Sequence, residues 1–495
     1  ISTTPPTHVP TMAESDAAPT VKEIPGSYGV PFVSPIRDRL DFYYFQGADK
    51  YFQSRVDKYH STVIRLNVPP GPFMASDPRV VAVLDAKSFP VLFDVSKVEK
   101  KDVFTGTYMP STSLTGGYRV CSYLDPSEPS HAKVKQLLFN VLASRKDAVV
   151  PAFRTNFTAL FQTMESQLAS AGKSDFNKLN DNTSFEFLGE AYFGVRPSST
   201  ELGATGPTKS TKWLFLQLCP LMTLGLPKIL EELLLHTFPL PPLIAKGDYK
   251  ALYKYFSDAA GSALDSAEKL GLSREEACHN LLFATVFNSY GGMKVLLPGI
   301  LGWLAKAEES LHARLAKEIR AAVAGEGGKV TLNAVEKMEL TRSVVYEALR
   351  MDPPVKYQYG KAKQDLVIES HDAAYQVKKG EMIFGYQPLA TRDPKVFDKA
   401  EQFIGDRFLG DEGKKLIKYV VWSNGPETET PSVANKQCPG KELVVLVGRL
   451  LVVEFFLRYD TFTADVGTIL LGSQVTVTSL TKSSYSSSST TTTNL

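Results

Sequence analysis

The chain is poor in the residues that build stapled or metal-clustered folds. Its 495 residues hold four cysteines, Cys121, Cys219, Cys278 and Cys438, and no C-x-x-C pair. Zinc ribbons, thioredoxin-type chemistry and dense disulfide frameworks are thereby excluded, and reduced thiols are the expectation. The seven histidines do not cluster, and no H-E-x-x-H occurs. Neither sign of charge dominates. The 55 Lys and Arg against 53 Asp and Glu leave a net charge of +2, which is no electrostatic footprint for nucleic acid. Long apolar runs are also missing. The best, 442–459, is interrupted by Gly448 and Arg449 and is too short to span a bilayer. It reads as a buried helix, and any membrane association would be peripheral. The first residue is Ile1 rather than Met, consistent with a processed form.

What is present is ordinary globular composition: 43% apolar, 11% aromatic and 22% charged residues. A chain of this length buries a core large enough to enclose a large cofactor. Apolar residues recur at three- and four-residue spacing over 41–59, 128–145, 151–171, 181–193, 250–269, 273–296, 304–324, 333–351 and 440–459, which predicts helices there. Residues 62–68 read as a strand, and 365–386 alternates around a turn at Lys378-Lys379-Gly380. The expected fold is mainly α with a small β-rich part. The expected organisation is a flexible arm over 1–24, one catalytic domain over 25–482, and a low-complexity Ser/Thr tail over 483–495.

Three features follow one another in the last third. Glu347-Ala-Leu-Arg350 comes first, then Arg392-Asp-Pro-Lys-Val-Phe with Asp406-Arg407-Phe408, then Gln437-Cys438-Pro439-Gly440 before the apolar helix. Each alone is weak; a second E-x-x-R, Glu339 to Arg342, reads as a solvated helix pair. In order, they resemble the heme–thiolate cytochrome P-450 superfamily. That resemblance implies a P-450-like fold, with a large helical part and a small β-rich part around buried heme b. It implies Cys438 as the proximal iron ligand, and Glu347, Arg350 and Arg407 as a buried ion network supporting the cysteine loop. A cysteine at a helix N-terminus is suited to carry a thiolate, which promotes O–O cleavage at heme iron.

Two departures narrow the reading. The superfamily's cysteine loop has Phe seven, Gly four and Arg two positions before the cysteine. Here Pro431, Ala434 and Lys436 stand there, and aligning Gly425 of Trp422-Ser-Asn-Gly425 leaves nine extra residues before Lys436. An insertion there is expected to obstruct the face where a reductase docks. The acid–Thr pair of oxygen-activating members is absent as well. Thr285, Asn288 and Gly291-Gly292 occupy that helix. Both losses point to a substrate that already contains an O–O bond.

Phe104-Thr-Gly-Thr-Tyr-Met-Pro-Ser-Thr, Leu114-Thr-Gly-Gly-Tyr, Tyr123-Leu-Asp-Pro-Ser-Glu-Pro, Phe287-Asn-Ser-Tyr-Gly-Gly, Gln358-Tyr-Gly-Lys-Ala-Lys and Val421-Trp-Ser-Asn-Gly-Pro-Glu-Thr resemble the plant allene oxide synthases, from about residue 23 to 481. That family implies dehydration of a fatty-acid hydroperoxide, the 13-hydroperoxide of linolenic acid by preference, to an allene oxide. The implied course is homolytic O–O cleavage, epoxide closure, transfer of one electron to iron and loss of a proton. Neither dioxygen, NADPH nor a reductase is consumed. The resemblance also implies plastid residence and a place in oxylipin and jasmonate biosynthesis. Asn288 is expected to hydrogen-bond the peroxide oxygens and Phe104 to lie beside the carbon radical. His131 and Lys135, one helical turn apart, are expected to hold the heme propionates, with Lys436 and Lys100 or Lys101 as further donors. Lys356, where the family pattern leads one to expect proline, leaves the pocket mouth open. The rival readings are a hydroperoxide lyase, a divinyl ether synthase, an oxygen-using monooxygenase and a non-enzymatic heme protein of lipid bodies. Phe104 weighs against the lyase.

Overall fold

The computed structural model describes residues 20–469 and 471–485. Most of the expected arm (1–19) and of the expected tail (486–495) lies outside the described residues. The arm's last residues belong to the folded body: Val21–Lys22 pairs in parallel with the strand Ala374–Val377, and Ile24 is buried.

Helices fill most of the predicted stretches. Seven need labels: α1 (Val33–Leu40), α2 (Pro129–Ser144), α3 (Phe176–Phe193), α4 (Arg274–Leu282), α5 (Gly291–Lys306), α6 (Glu339–Met351) and α7 (Lys441–Arg458). Helix α7 is buried on nearly every side, as its unbroken Val, Leu and Phe content requires. It packs with α5 and α6 in the main apolar core. Gly448 permits that approach, because a Cβ there would stand 3.0 Å from Val345 and 3.1 Å from Ile300.

A five-stranded sheet lies apart from this core. Its order is Val63–Asn67, Arg79–Val83, Met382–Tyr386, Tyr357–Ala362 and Val98–Glu99, with only the second and third strands parallel. Strands Tyr459–Ile469 and Gly472–Lys482 form a long hairpin after α7.

Several expectations are corrected. The stretch 365–386 is not one hairpin. Leu366–Glu369 pairs with Ala374–Val377, and the turn at 378–381 passes the chain to the other sheet. The expected helix 250–269 breaks at Ala260, and 304–324 contains the end of α5 and the start of Glu309–Gly325. Helix Gly206–Leu218, strands Arg79–Val83 and Tyr357–Ala362, and the final hairpin were not foreseen.

Candidate active site

Cys438 sits in the loop that ends where Gly440 caps α7. Its N–H donates to the Ser423 carbonyl at 3.2 Å, and its own carbonyl accepts from the Lys441 N–H at 3.3 Å. Burial pushes the thiol's pKa up, while the Gly440 N–H and Lys135 pull the other way. The thiol opens on a cavity of about 280 Å³. The lining is mostly apolar, from residues such as Leu138 and Leu142 of α2, Leu188 of α3, Met293 and Leu296 of α5, and Val447 of α7.

Helices α4 and α5 form one rod across another wall. Ser273 starts it, its side chain accepting from the Glu276 N–H at 3.1 Å. Between them, Phe283–Tyr290 is wound as a π-helix. Such wide turns shift the register of side chains and recur at functional sites. Thr285, Asn288 and Ser289 of this segment line the cavity. Asn288 is exposed to it, and its amide makes no hydrogen bond among the described residues. The neighbouring Ser289 hydroxyl meets the Tyr192 hydroxyl at 3.0 Å.

Basic groups gather at one end. His131 and Lys135 face the cavity from α2, and Lys436 from the cysteine loop. Lys135 Nζ donates to the Asn435 carbonyl at 2.6 Å, and Lys436 Nζ to those of Cys121 at 2.6 Å and Leu124 at 2.5 Å. His131 Nδ1 is buried without a partner. None of the three forms an ion pair among the described residues, and burial disfavours each as a cation, with basic neighbours adding to it at His131. His131 is held down to about 4, Lys135 to about 8, and Lys436 is lowered. Lys100 stands behind this group, outside the lining, with Nζ donating to the Tyr359 carbonyl at 2.6 Å; burial holds it to about 7. Lys101 is exposed and not in the lining.

This donor set fits a heme group. It offers one sulfur ligand at a helix N-terminus, an apolar chamber, and buried cationic groups lacking carboxylate partners, as two propionates require.

Phe104 is not itself among the lining residues. Its ring packs against Tyr123 at 5.9 Å and Phe287 at 5.8 Å, in the layer behind the cavity lining. Lys356 is not in the lining either; Pro354 and Val355 are, and the Lys356 carbonyl accepts from the Gln387 N–H at 2.9 Å.

The glutamate–arginine network forms, but it holds another segment. Arg350 Nε and Nη2 each reach Glu347 at 2.8 Å, Arg407 Nε meets both its oxygens at 3.0 Å, and the Ile404 N–H donates to it at 2.8 Å. The guanidiniums cap the carbonyls of Thr391, Asp398, Lys399, Ala400 and Gln402. No hydrogen bond of the three residues reaches 431–440 among the described residues. Arg342, in the other E-x-x-R, pairs with Glu336 instead of Glu339.

Sequence reasoning missed what does hold the cysteine loop. Gln437 Nε2 donates to the Pro426 carbonyl at 2.7 Å. Gln358 Nε2 donates to Gln387 Oε1 at 2.7 Å and to the Trp422 carbonyl at 3.0 Å. Glu427 accepts from Tyr346 and Trp422, and its carbonyl accepts from Lys441 Nζ at 2.6 Å. Gln358 and Trp422 lie inside motifs visible in the sequence, but their partners are distant along the chain. Of the inserted residues, Asn435 Oδ1 closes the loop by accepting from the Ser432 and Gln437 N–H groups at 3.1 Å.

Comparison with known proteins agrees with this geometry. Residues 277–464 match the family model described as Cytochrome P450. The chain is 72% identical over 468 residues to Allene oxide synthase 2 of Oryza sativa subsp. japonica, covering 94% of this chain and 97% of that protein. It is 57% identical to Allene oxide synthase, chloroplastic, of Arabidopsis thaliana, covering 98% and 93%. It is 56% identical to Allene oxide synthase 1, chloroplastic, of Solanum lycopersicum, covering 95% and 90%. With nearly full-length identity of this order laid over a cysteine loop that leads into a helix and a cation-ended chamber, the chain belongs to the allene oxide synthase family of heme–thiolate cytochromes P450.

Proposed function

We propose that the protein dehydrates a polyunsaturated fatty-acid hydroperoxide, the 13-hydroperoxide of linolenic acid by preference, to an allene oxide. The observation that carries this reading is the uncommitted amide of Asn288, in a chamber whose helix has no acid–Thr pair and whose other wall offers Cys438. Heme held by Cys438 supplies an iron that cleaves an O–O bond already present in the substrate.

The chain's own residues do the rest. Asn288 both donates and accepts, so its amide holds the two peroxide oxygens in one orientation. The surrounding apolar wall excludes water and strengthens that contact. His131, Lys135 and Lys436 hold the propionates, and Lys100 adds positive charge behind them. Phe104 is a positioning residue: it backs Phe287, the residue before Asn288, and keeps the layer behind the distal wall aromatic. The glutamate–arginine network fixes the 391–407 segment and turns over no substrate. Relatives named chloroplastic support residence in the plastid.

The test is product analysis with heme-loaded protein and the 13- and 9-hydroperoxides of linolenic acid. Ketols and cyclopentenone, formed faster from the 13-isomer, support the reading. Short-chain aldehydes or divinyl ethers overturn it.

A further inference from the structure

Trp and Tyr are among the side chains that most readily lose one electron, and rings in contact pass that electron on. A line of such rings runs from the chamber to the surface. Phe283 of the π-wound segment borders the chamber. Trp213, in the helix Gly206–Leu218, is 0% exposed and stands edge-on to it, with ring centroids 5.8 Å apart. Tyr249, in the helix Lys246–Ala259, stacks on Trp213 at 5.8 Å with 25° between the planes. The His279 ring of α4 lies 5.7 Å beyond and nearly parallel, and Tyr253 and Tyr118 meet it at 4.5 Å and 5.5 Å. These last two are half-buried, and the Tyr118 hydroxyl donates to Glu275 at 3.2 Å on the surface.

Losing an electron makes a phenol strongly acidic, so a tyrosine is oxidised easily only where a base stands ready for its proton. Tyr249 has one. Its hydroxyl meets His279 Nδ1 at 2.7 Å, within reach for proton transfer. Burial raises the pKa of the Tyr249 phenol and lowers that of His279, so both are neutral before oxidation. Gly116 admits the imidazole, since a Cβ there would stand 2.1 Å from the ring. The Trp213 indole N–H donates to the Leu114 carbonyl at 2.8 Å, which fixes the ring between its neighbours. Other oxidisable rings lack this arrangement. Tyr192 lines the chamber, but its hydroxyl meets the Ser289 hydroxyl at 3.0 Å, which is no base. Trp422 also lines it, with its N–H tied to the Glu427 carboxylate, and Trp303 stacks on Phe403 instead.

We infer that Phe283, Trp213, Tyr249 and His279 form an electron-transfer line that rescues the heme when a substrate radical escapes, and that small one-electron donors of the ascorbate or phenol class refill it at Tyr253 and Tyr118. In the ordinary course the substrate radical returns its own electron. When it escapes, one oxidising equivalent stays in the chamber. Trp213 then gives up an electron across Phe283, Tyr249 restores Trp213, and the phenol proton crosses to His279. The hydroperoxide's O–O bond is broken, so hydroperoxide and tyrosine together become an alkoxyl radical, a tyrosyl radical and one water. The surface donor returns one electron and one proton to the tyrosine and departs as its own radical. The natural oxidant rests on the hydroperoxide reading above; the line itself needs only an oxidised heme.

The test is freeze-quench electron paramagnetic resonance of full-length, heme-loaded protein. It is mixed with excess 13-hydroperoxide of linolenic acid or, separately, with peracetic acid, which oxidises heme without being a fatty acid. The variants are Trp213→Phe, which keeps a ring in the core, and Tyr249→Phe, which removes only the hydroxyl. We expect a tyrosyl signal in the parent that ascorbate erases and that is at least fivefold weaker in both variants. The turnovers completed before inactivation should fall at least threefold in both variants, and ascorbate should extend them in the parent alone. The initial rate of diene loss and the melting temperature of Tyr249→Phe should stay unchanged. An equal tyrosyl signal in parent and both variants overturns the proposal. So does a parent signal that Tyr192→Phe abolishes, or the absence of any protein radical with either oxidant. A tyrosyl signal with peracetic acid that the variants lose, without any hydroperoxide turnover, would instead leave the line standing and remove the substrate reading.

Discussion

Asn288 concentrates the chemistry at the scale of single residues. Its amide faces an apolar chamber with no other protein hydrogen bond to satisfy. Asn288→Ala should therefore lower kcat by about 10²–10³-fold, as loss of one preorganised donor does in a water-poor site. The Soret spectrum should be unchanged, since the thiolate lies on another wall. Phe104→Leu keeps an apolar side chain in the layer behind Phe287 and should cost about 1 kcal/mol of stability or less. Its readout is the product: loss of the aromatic backing should raise the share of short aldehydes over ketols. The cations give a pH dependence. Burial above all disfavours charge on Lys135, so its folded-state value of about 8 lies below the unfolded one. In the heme-free protein the cost of that charge is full below about 8 and is relieved as pH rises from there. A propionate reverses the preference, so heme binding takes up a proton above pH 8. Heme retention should be strongest below that value and weaken above it, by up to about 1.4 kcal/mol per pH unit per group. Lys135→Met should reduce retention at pH 7 and flatten the fall; heme transfer to apomyoglobin measures both.

At the scale of elements, Glu347 is the most demanding position. It is 0% exposed and shared by two guanidiniums. Glu347→Ala leaves both buried and unpaired, which should cost about 3–5 kcal/mol, seen as a large drop in melting temperature or insoluble expression. The E-x-x-R signature was legible in sequence because i and i+3 share a helix face. What it holds was not legible, since the carbonyls that Arg350 caps lie 41–52 positions along the chain and Arg407 lies 60 positions from Glu347. The distal rod divides in the same way. Its apolar period and Ser273 cap predict a helix over 273–296. The π winding that turns Asn288 into the chamber leaves no mark in that period, because it adds one residue to a turn without changing which residue types appear. The final hairpin was missed for a related reason. Its strands carry Thr, Ser and Gly on a half-exposed surface, so alternation is weak, and pairing decides the structure.

The whole molecule is a chamber closed by long-range contacts. Cys438, His131, Lys135 and Asn288 were each picked out in sequence by motif or helical spacing, and the fold brings them to one cavity. Lys100 was picked out as well, yet stands one layer back, as does Phe104. The glutamines at 358, 387 and 437, which join the sheet to the cysteine loop, have partners far along the chain; only the folded chain brings them together. The central claim is that this chamber turns over a substrate carrying its own O–O bond. The most direct measurement uses heme-loaded protein in oxygen-free buffer without NADPH or reductase. The 13-hydroperoxide of linolenic acid is added, and loss of its conjugated-diene absorbance is followed over many equivalents. The account predicts rapid, multiple-turnover loss, unchanged when oxygen is admitted. Diene loss that requires oxygen and NADPH, or that stops at one equivalent per heme, would contradict it.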